Sequence, residues 1–154
     1  MEVDRKSWKI LQVLQQDARI SLTELAARVA LSVPAVSERL KRLEESGVIA
    51  GYRAVVPPAM VGYGLMAIVG ITTLQPEKAR LIALLQERPE VLECHHVTGQ
   101  DSFLMKVVAR DIAHLESFLA GINHLGETRT SIVMSSPIPG RALQPPVPAG
   151  LATS

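Results

Sequence analysis

The chain has 154 residues, 47% apolar and 20% charged, with 16 Lys and Arg against 15 Asp and Glu. That apolar content excludes a wholly disordered chain, and the length suits one average domain or a pair of small ones. The longest nearly uncharged stretch, 54–75, is interrupted by Pro57, Pro58 and three glycines, so no membrane span is expected.

The first 56 residues read as three short helices and a strand. Asp4 can cap a first helix whose apolar positions are Val3, Ile10, Leu11 and Leu14. Ser21-Leu22-Thr23-Glu24 reads as a capping box, in which Ser21 accepts the Glu24 N–H and Glu24 reaches back. Leu22, Leu25, Ala26 and Val29 follow on one face. After Ala30-Leu31-Ser32 a third helix starts at once, with Ser32 as N-cap, Pro34 in the first turn and Gly47 past its end. Its buried stripe is expected to be Val36, Leu40 and Leu43. Residues 48–56 then alternate as a strand.

Pro57-Pro58 marks a hinge, placed over 57–64. Beyond it the pattern predicts a strand from Leu65 to Leu74, then a helix opened by Pro76 with Ala79, Ile82 and Leu85 inward. A strand over 91–98, a turn, and a strand over 103–109 come next. Asp111 caps a helix bearing Ile112, Leu115, Phe118 and Leu119, and a last strand runs over 128–136. That order, βαββαβ over 65–137, is ferredoxin-like. Five prolines and two glycines in 137–154 suggest that 138–154 is a flexible tail. The fold class is therefore α+β, a small helical head followed by a βαββαβ domain.

Four groups of residues could carry function. Residues 22–46 form helix, turn, helix. The third helix carries small residues at its start (Ser32, Val33, Pro34, Ala35, Ser37), which permit close approach to base edges. Glu38, Arg39, Lys41 and Arg42 follow on or beside its free face, and the cations can reach phosphates or guanine. An ordinary helical hairpin with i,i+4 pairs is the alternative. Charge totals do not separate the two, since 1–56 carries +2 and 57–154 carries −1. In the second half, Phe103, Met105, Val107 and Ala109 point one way along their strand, and Leu104 and Val108 the other. Two helices cover only one face of such a sheet, so the other face calls for a second subunit or for the chain's own tail.

Cys94-His95-His96 contains zinc-ligand types, but neighbours on a strand point to opposite faces, and no CxxC or HxxxH accompanies them. They read as core or interface residues. The lone Cys94 forms no internal disulfide and suits a reducing cytoplasm, and the start Met1-Glu2-Val3-Asp4 lacks the pattern of a signal peptide. Finally, Thr98-Gly99-Gln100-Asp101-Ser102 reads either as a tight turn or as a pocket. In a pocket, backbone N–H groups would hold a carboxylate and Asp101 an ammonium.

The segment Leu31-Ser32 with 37–52 resembles the recognition-helix region of the Lrp/AsnC family, the feast/famine regulators, and 96–107 is similar to a second motif in that family's effector domain. The resemblance covers about 1–137. It implies a winged helix-turn-helix on double-stranded DNA over 1–56 and an effector-binding and oligomerisation domain over 65–137. It also implies homodimers assembling further, to octamers, in a prokaryotic cytoplasm on the nucleoid. The effector it implies is a small molecule, an amino acid, bound along Thr98, Gly99, Gln100, Asp101 and Ser102. No cofactor or metal is implied. Many members read Gly-x-x-Asp-aromatic in that turn, whereas here the acid of Gly99-Gln100-Asp101-Ser102-Phe103 comes one place early. A second reading is a decarboxylase of sirohaem-type tetrapyrroles of similar fold, which would draw on His95, His96 and Arg110. A third, an RNA-binding sheet, is opposed by the aromatics, of which Phe103 alone falls on a central strand.

Overall fold

The computed structural model describes residues 3–146. They divide into two compact units, one of residues 3–54 with 138–146 and one of residues 55–137. In the first unit, α1 (Arg5–Leu14), α2 (Leu22–Val29) and α3 (Val33–Glu45) enclose a core of Ile10, Leu25, Ala26, Val29, Val36 and Leu43. Each helix begins where its cap satisfies a free N–H. Asp4 accepts from the Ser7 amide at 2.7 Å, Ser21 from Glu24 at 3.1 Å and Ser32 from Ala35 at 3.3 Å. Gly47, at φ 73°, takes the left-handed step that ends α3, and the Ile49 N–H then closes on the Leu43 carbonyl. The α2–α3 turn uses Ala30 in the same left-handed region, at φ 56°. A Cβ there is costly, so Ala30→Gly should raise the head's stability by about 0.5–1 kcal/mol in denaturant titration; an unchanged midpoint would mean the turn carries no strain.

Several expectations are corrected. Leu40 is only partly buried, leaving Val36 and Leu43 as the stripe of α3. Glu24 does not reach back to Ser21; it pairs with Arg28 at 2.6 Å, one turn on. No strand forms over 48–56, because no neighbouring strand offers ladder partners and alternation alone cannot satisfy a backbone. Tyr52 instead donates its hydroxyl to Glu44 at 2.9 Å. Residues 138–146, expected to be flexible, are held on α1. The Gln15 amide donates to the Leu143 carbonyl at 3.1 Å and accepts its N–H at 2.7 Å, and Gln12 donates to Gln144 at 2.8 Å. The rest of the expected tail, 147–154, lies outside the described residues.

The second unit begins at Val55, ahead of Pro57, and a 3-10 turn over Pro58–Val61 occupies part of the expected hinge. Its four strands are β1 (Leu65–Thr72), β2 (Val91–His96), β3 (Phe103–Ala109) and β4 (Glu127–Ile132). They pair antiparallel in the order β2-β3-β1-β4, with α4 (Lys78–Gln86) and α5 (Ile112–Ala120) as the crossovers. This is the ferredoxin-like arrangement. Strand ends are shorter than predicted, and α4 follows a 3-10 turn at Gln75–Glu77. Leu81 and Leu85 are its buried residues, whereas Ala79 is exposed. The helices cover Ala67, Val69, Ile71, Phe103, Met105 and Val107, which pack with Leu115 and Phe118. Pairing register puts Met66, Ile68, Gly70, Leu104, Lys106 and Val108 on the opposite face.

Candidate functional site

The first candidate site is the outer surface of α3. Ser32, Val33, Pro34, Ser37, Glu38, Lys41 and Arg42 are exposed, and Ala35 partly so. The first turn is therefore small and open, and its backbone N–H groups are ordered by the Ser32 cap and by Pro34. Farther along, Arg42 pairs with Glu38 at 2.9 Å and Lys41 lies 3.8 Å from Glu45. Such exposed pairs hold their cations weakly, so both can exchange a carboxylate for a phosphate.

Arg39 is placed differently from the others. Its guanidinium turns back across α1, donating to both Asp4 carboxylate oxygens at 2.9 and 2.7 Å and to the Ser7 hydroxyl at 3.1 Å. It ties the start of α1 to the middle of α3. Asp4 responds: the Ser7 backbone N–H, then the Arg39 guanidinium, hold its carboxyl down at about 2 from the ordinary 3.8. A folded value below the unfolded one means stability that is present above about pH 4 and lost as pH falls toward 2. In Arg39→Ala the Ser7 N–H still acts. We expect a lower melting temperature at neutral pH and a shallower acid transition over that window; an acid transition identical to wild type would show that the pair contributes nothing.

The second candidate site is the β2–β3 hairpin. Thr98, Gly99 and Gln100 are exposed, whereas Asp101 and Ser102 are partly buried. Gly99 takes φ 111°, a conformation side chains rarely adopt. The hairpin is fastened to the end of β1. The Ser102 hydroxyl accepts the Thr73 N–H at 3.0 Å and donates to the Thr73 carbonyl at 3.3 Å. The Thr72 hydroxyl donates to the Gln100 carbonyl at 3.1 Å. Asp101 is not free: its carboxylate accepts from Arg129 of β4. Thr72, Thr73 and Arg129 were not found from the sequence, because they meet the hairpin only through the strand pairing.

Cys94, His95 and His96 do not converge. His95 lies 3.3 Å from Glu93 on one face, and His96 packs on Phe103 on the other, ring centroids 5.1 Å apart. Burial alone raises the Cys94 thiol above its ordinary value, the reverse of an activated nucleophile. Arg110, the third residue of the tetrapyrrole reading, is exposed at the end of β3, where its N–H donates to His114 at 3.1 Å. Phe103 is buried, so it offers no base-stacking platform. Among the described residues no group of three His, Cys, Asp or Glu could hold a metal, and no helix is long and apolar enough to cross a membrane.

A helix-turn-helix head is a DNA-reading element, and here it precedes a ferredoxin-like domain. The family model for winged helix-turn-helix DNA-binding matches residues 3–50, and that for the Lrp/AsnC ligand binding domain matches 66–143. The leucine-responsive regulatory protein of Rhizobium meliloti is 38% identical over 122 residues, spanning 77% of this chain and 78% of its own. A feast or famine regulatory protein from M. tuberculosis, solved with L-methionine, superposes with a TM-score of 0.85 at 35% identity, over 94% of this chain and all of that one. A Neisseria meningitidis transcriptional regulator, also with L-methionine, gives 0.86 at 30%, over 92% of this chain and 96% of the other. The chain belongs to the Lrp/AsnC family of DNA-binding transcription regulators.

Proposed function

We propose that this regulator reads double-stranded DNA with α3 and that an amino acid bound at the β2–β3 hairpin controls it. The carrying observation is the outer face of α3: a capped, small-residue first turn for base edges, then Lys41 and Arg42 placed for the flanking phosphates. Ser32, Val33, Pro34, Ala35, Ser37 and Glu38 line the groove. Arg39 positions the helix from behind. The amino-acid effector is supported by two relatives solved with L-methionine and by a hairpin pinned at Thr72 and Thr73. Thr98, Gly99, Gln100, Asp101 and Ser102 supply the site's near wall.

The working form is a dimer or larger, up to an octamer, joined through the sheet face the helices leave open. Two heads then read a palindrome. The chain regulates rather than catalyses, a reading supported by curated relatives that are transcriptional regulators. It works in the prokaryotic cytoplasm, on the nucleoid. The test is selection from random double-stranded DNA, followed by anisotropy with and without each of the twenty amino acids. A palindromic consensus whose affinity shifts with one of them is expected; no enrichment overturns the DNA reading, and enrichment with no response overturns the effector reading.

A further inference from the structure

We infer that the Asp101–Arg129 ion pair is a receptor for a zwitterion: the incoming α-amino acid parts the pair, its ammonium going to Asp101 and its carboxylate to Arg129. This rests on the hairpin being the effector site, and it makes Arg129 a specificity-determining residue there. The sheet register explains the placement. Gly70 of β1 stands opposite Leu104 of β3 and Arg129 of β4. It has no side chain, and the Asp101 carboxylate fills that space; a Cβ on Gly70 would lie 2.7 Å from each of the three carboxylate atoms. The recess in the sheet is therefore shaped around a carboxylate brought in by the hairpin.

Both ends of the pair are held by hydrogen bonds besides the pair itself. Asp101 lies between Gln100, whose carbonyl is bonded to Thr72, and Ser102, whose hydroxyl is bonded twice to Thr73. Arg129 belongs to the β4 ladder, and its guanidinium also reaches the Thr72 hydroxyl at 3.4 Å. The side chains stay reachable, Asp101 20% and Arg129 40% exposed. A pair this exposed contributes little by itself. Parting it for a ligand with both charges replaces one ion pair by two, and Arg129 offers the planar donor fork that suits a carboxylate. A ligand with a single charge leaves Asp101 or Arg129 without its partner. The site therefore selects free amino acids against amines, amides and N-acylated forms. Because the pair links the hairpin to β4, its opening also turns ligand binding into a change at a strand connection.

The experiment is calorimetric titration of the full chain with the twenty L-amino acids, then with the amide and the N-acetyl derivative of the best binder. Wild type should prefer the free amino acid to either derivative by at least about tenfold, as expected when one hydrogen-bonded charge contact is lost. Arg129→Gln should weaken the amino acid by a similar factor and abolish preference over the amide alone. Asp101→Asn should abolish preference over the N-acetyl form alone, and Arg129→Lys should recover part of the loss. If wild type binds no amino acid, the effector reading itself fails. If it binds the amide as tightly as the acid, or if Arg129→Gln keeps the preference, the inference is overturned while the effector reading stands. The derivative comparison needs only wild type, so a variant that misfolds does not block the decision.

Discussion

The double variant Lys41→Ala/Arg42→Ala should bind selected DNA about a hundredfold more weakly, a loss of about 2.7 kcal/mol. Its log–log salt slope should flatten by about 2 for each engaged head, since each lost phosphate contact removes about one condensed counterion. Fold and stability should hardly change, because both side chains are exposed and their only partners among the described residues are Glu45 and Glu38 on the same helix. Arg39→Ala should behave in the opposite way: the slope stays at its wild-type value and the melting temperature falls, since that guanidinium spans Asp4 and Ser7 rather than facing outward. The comparison is read by anisotropy over a series of salt concentrations, with calorimetric melts alongside. A flattened slope in Arg39→Ala would mean that the Asp4 pair opens on DNA, and an unchanged slope in the double variant would remove α3 from the interface.

Local chemistry made much of this protein legible in its sequence. Asp4, Ser21, Ser32 and Asp111 each accept the backbone N–H three residues on, as a cap must, and those positions fix where four helices begin. Apolar spacing likewise located four strands in the right order. What the sequence left unread depends mostly on partners distant along the chain. Arg39 falls at the edge of the helical wheel, and nothing near it announces Asp4, 35 residues away. Asp101 and Arg129 are separated by 28 residues and meet only because both flank Gly70 in the folded register. The alternation in 48–56 is a real pattern, but a strand exists only where a neighbour completes its hydrogen bonds. Conversely, the Pro-rich composition of 138–146 concealed its contacts with Gln12 of α1 and Gln15 just past its end, whose amides take up its backbone and side chain.

Ile68→Asp should convert the assembled protein to monomers while leaving the isolated chain folded. In one chain Ile68 is 40% exposed, so an aspartate there meets water and the cost is small, within about 0.5 kcal/mol. On the same face lie Met66, Leu104 and, directly opposite Ile68, Lys106, with Glu93 and His95 of β2 and Arg129 of β4 on the two edge strands, a largely apolar centre between charged edges. That is how protein interfaces are organised, and the helices leave this face open. If a second sheet covers it, the aspartate is desolvated with only Lys106, already bound to Glu93, opposite it, a penalty of about 3 kcal/mol that the symmetry of a two-fold interface applies twice. Association should therefore weaken far more than a thousandfold, and equilibrium sedimentation at micromolar concentration should report one chain. DNA binding should drop with it, since a single head loses the effective concentration that the second supplies. A dimer that survives Ile68→Asp would place the subunit contact elsewhere, and a chain that unfolds on the same change would show the face to be covered within one protomer.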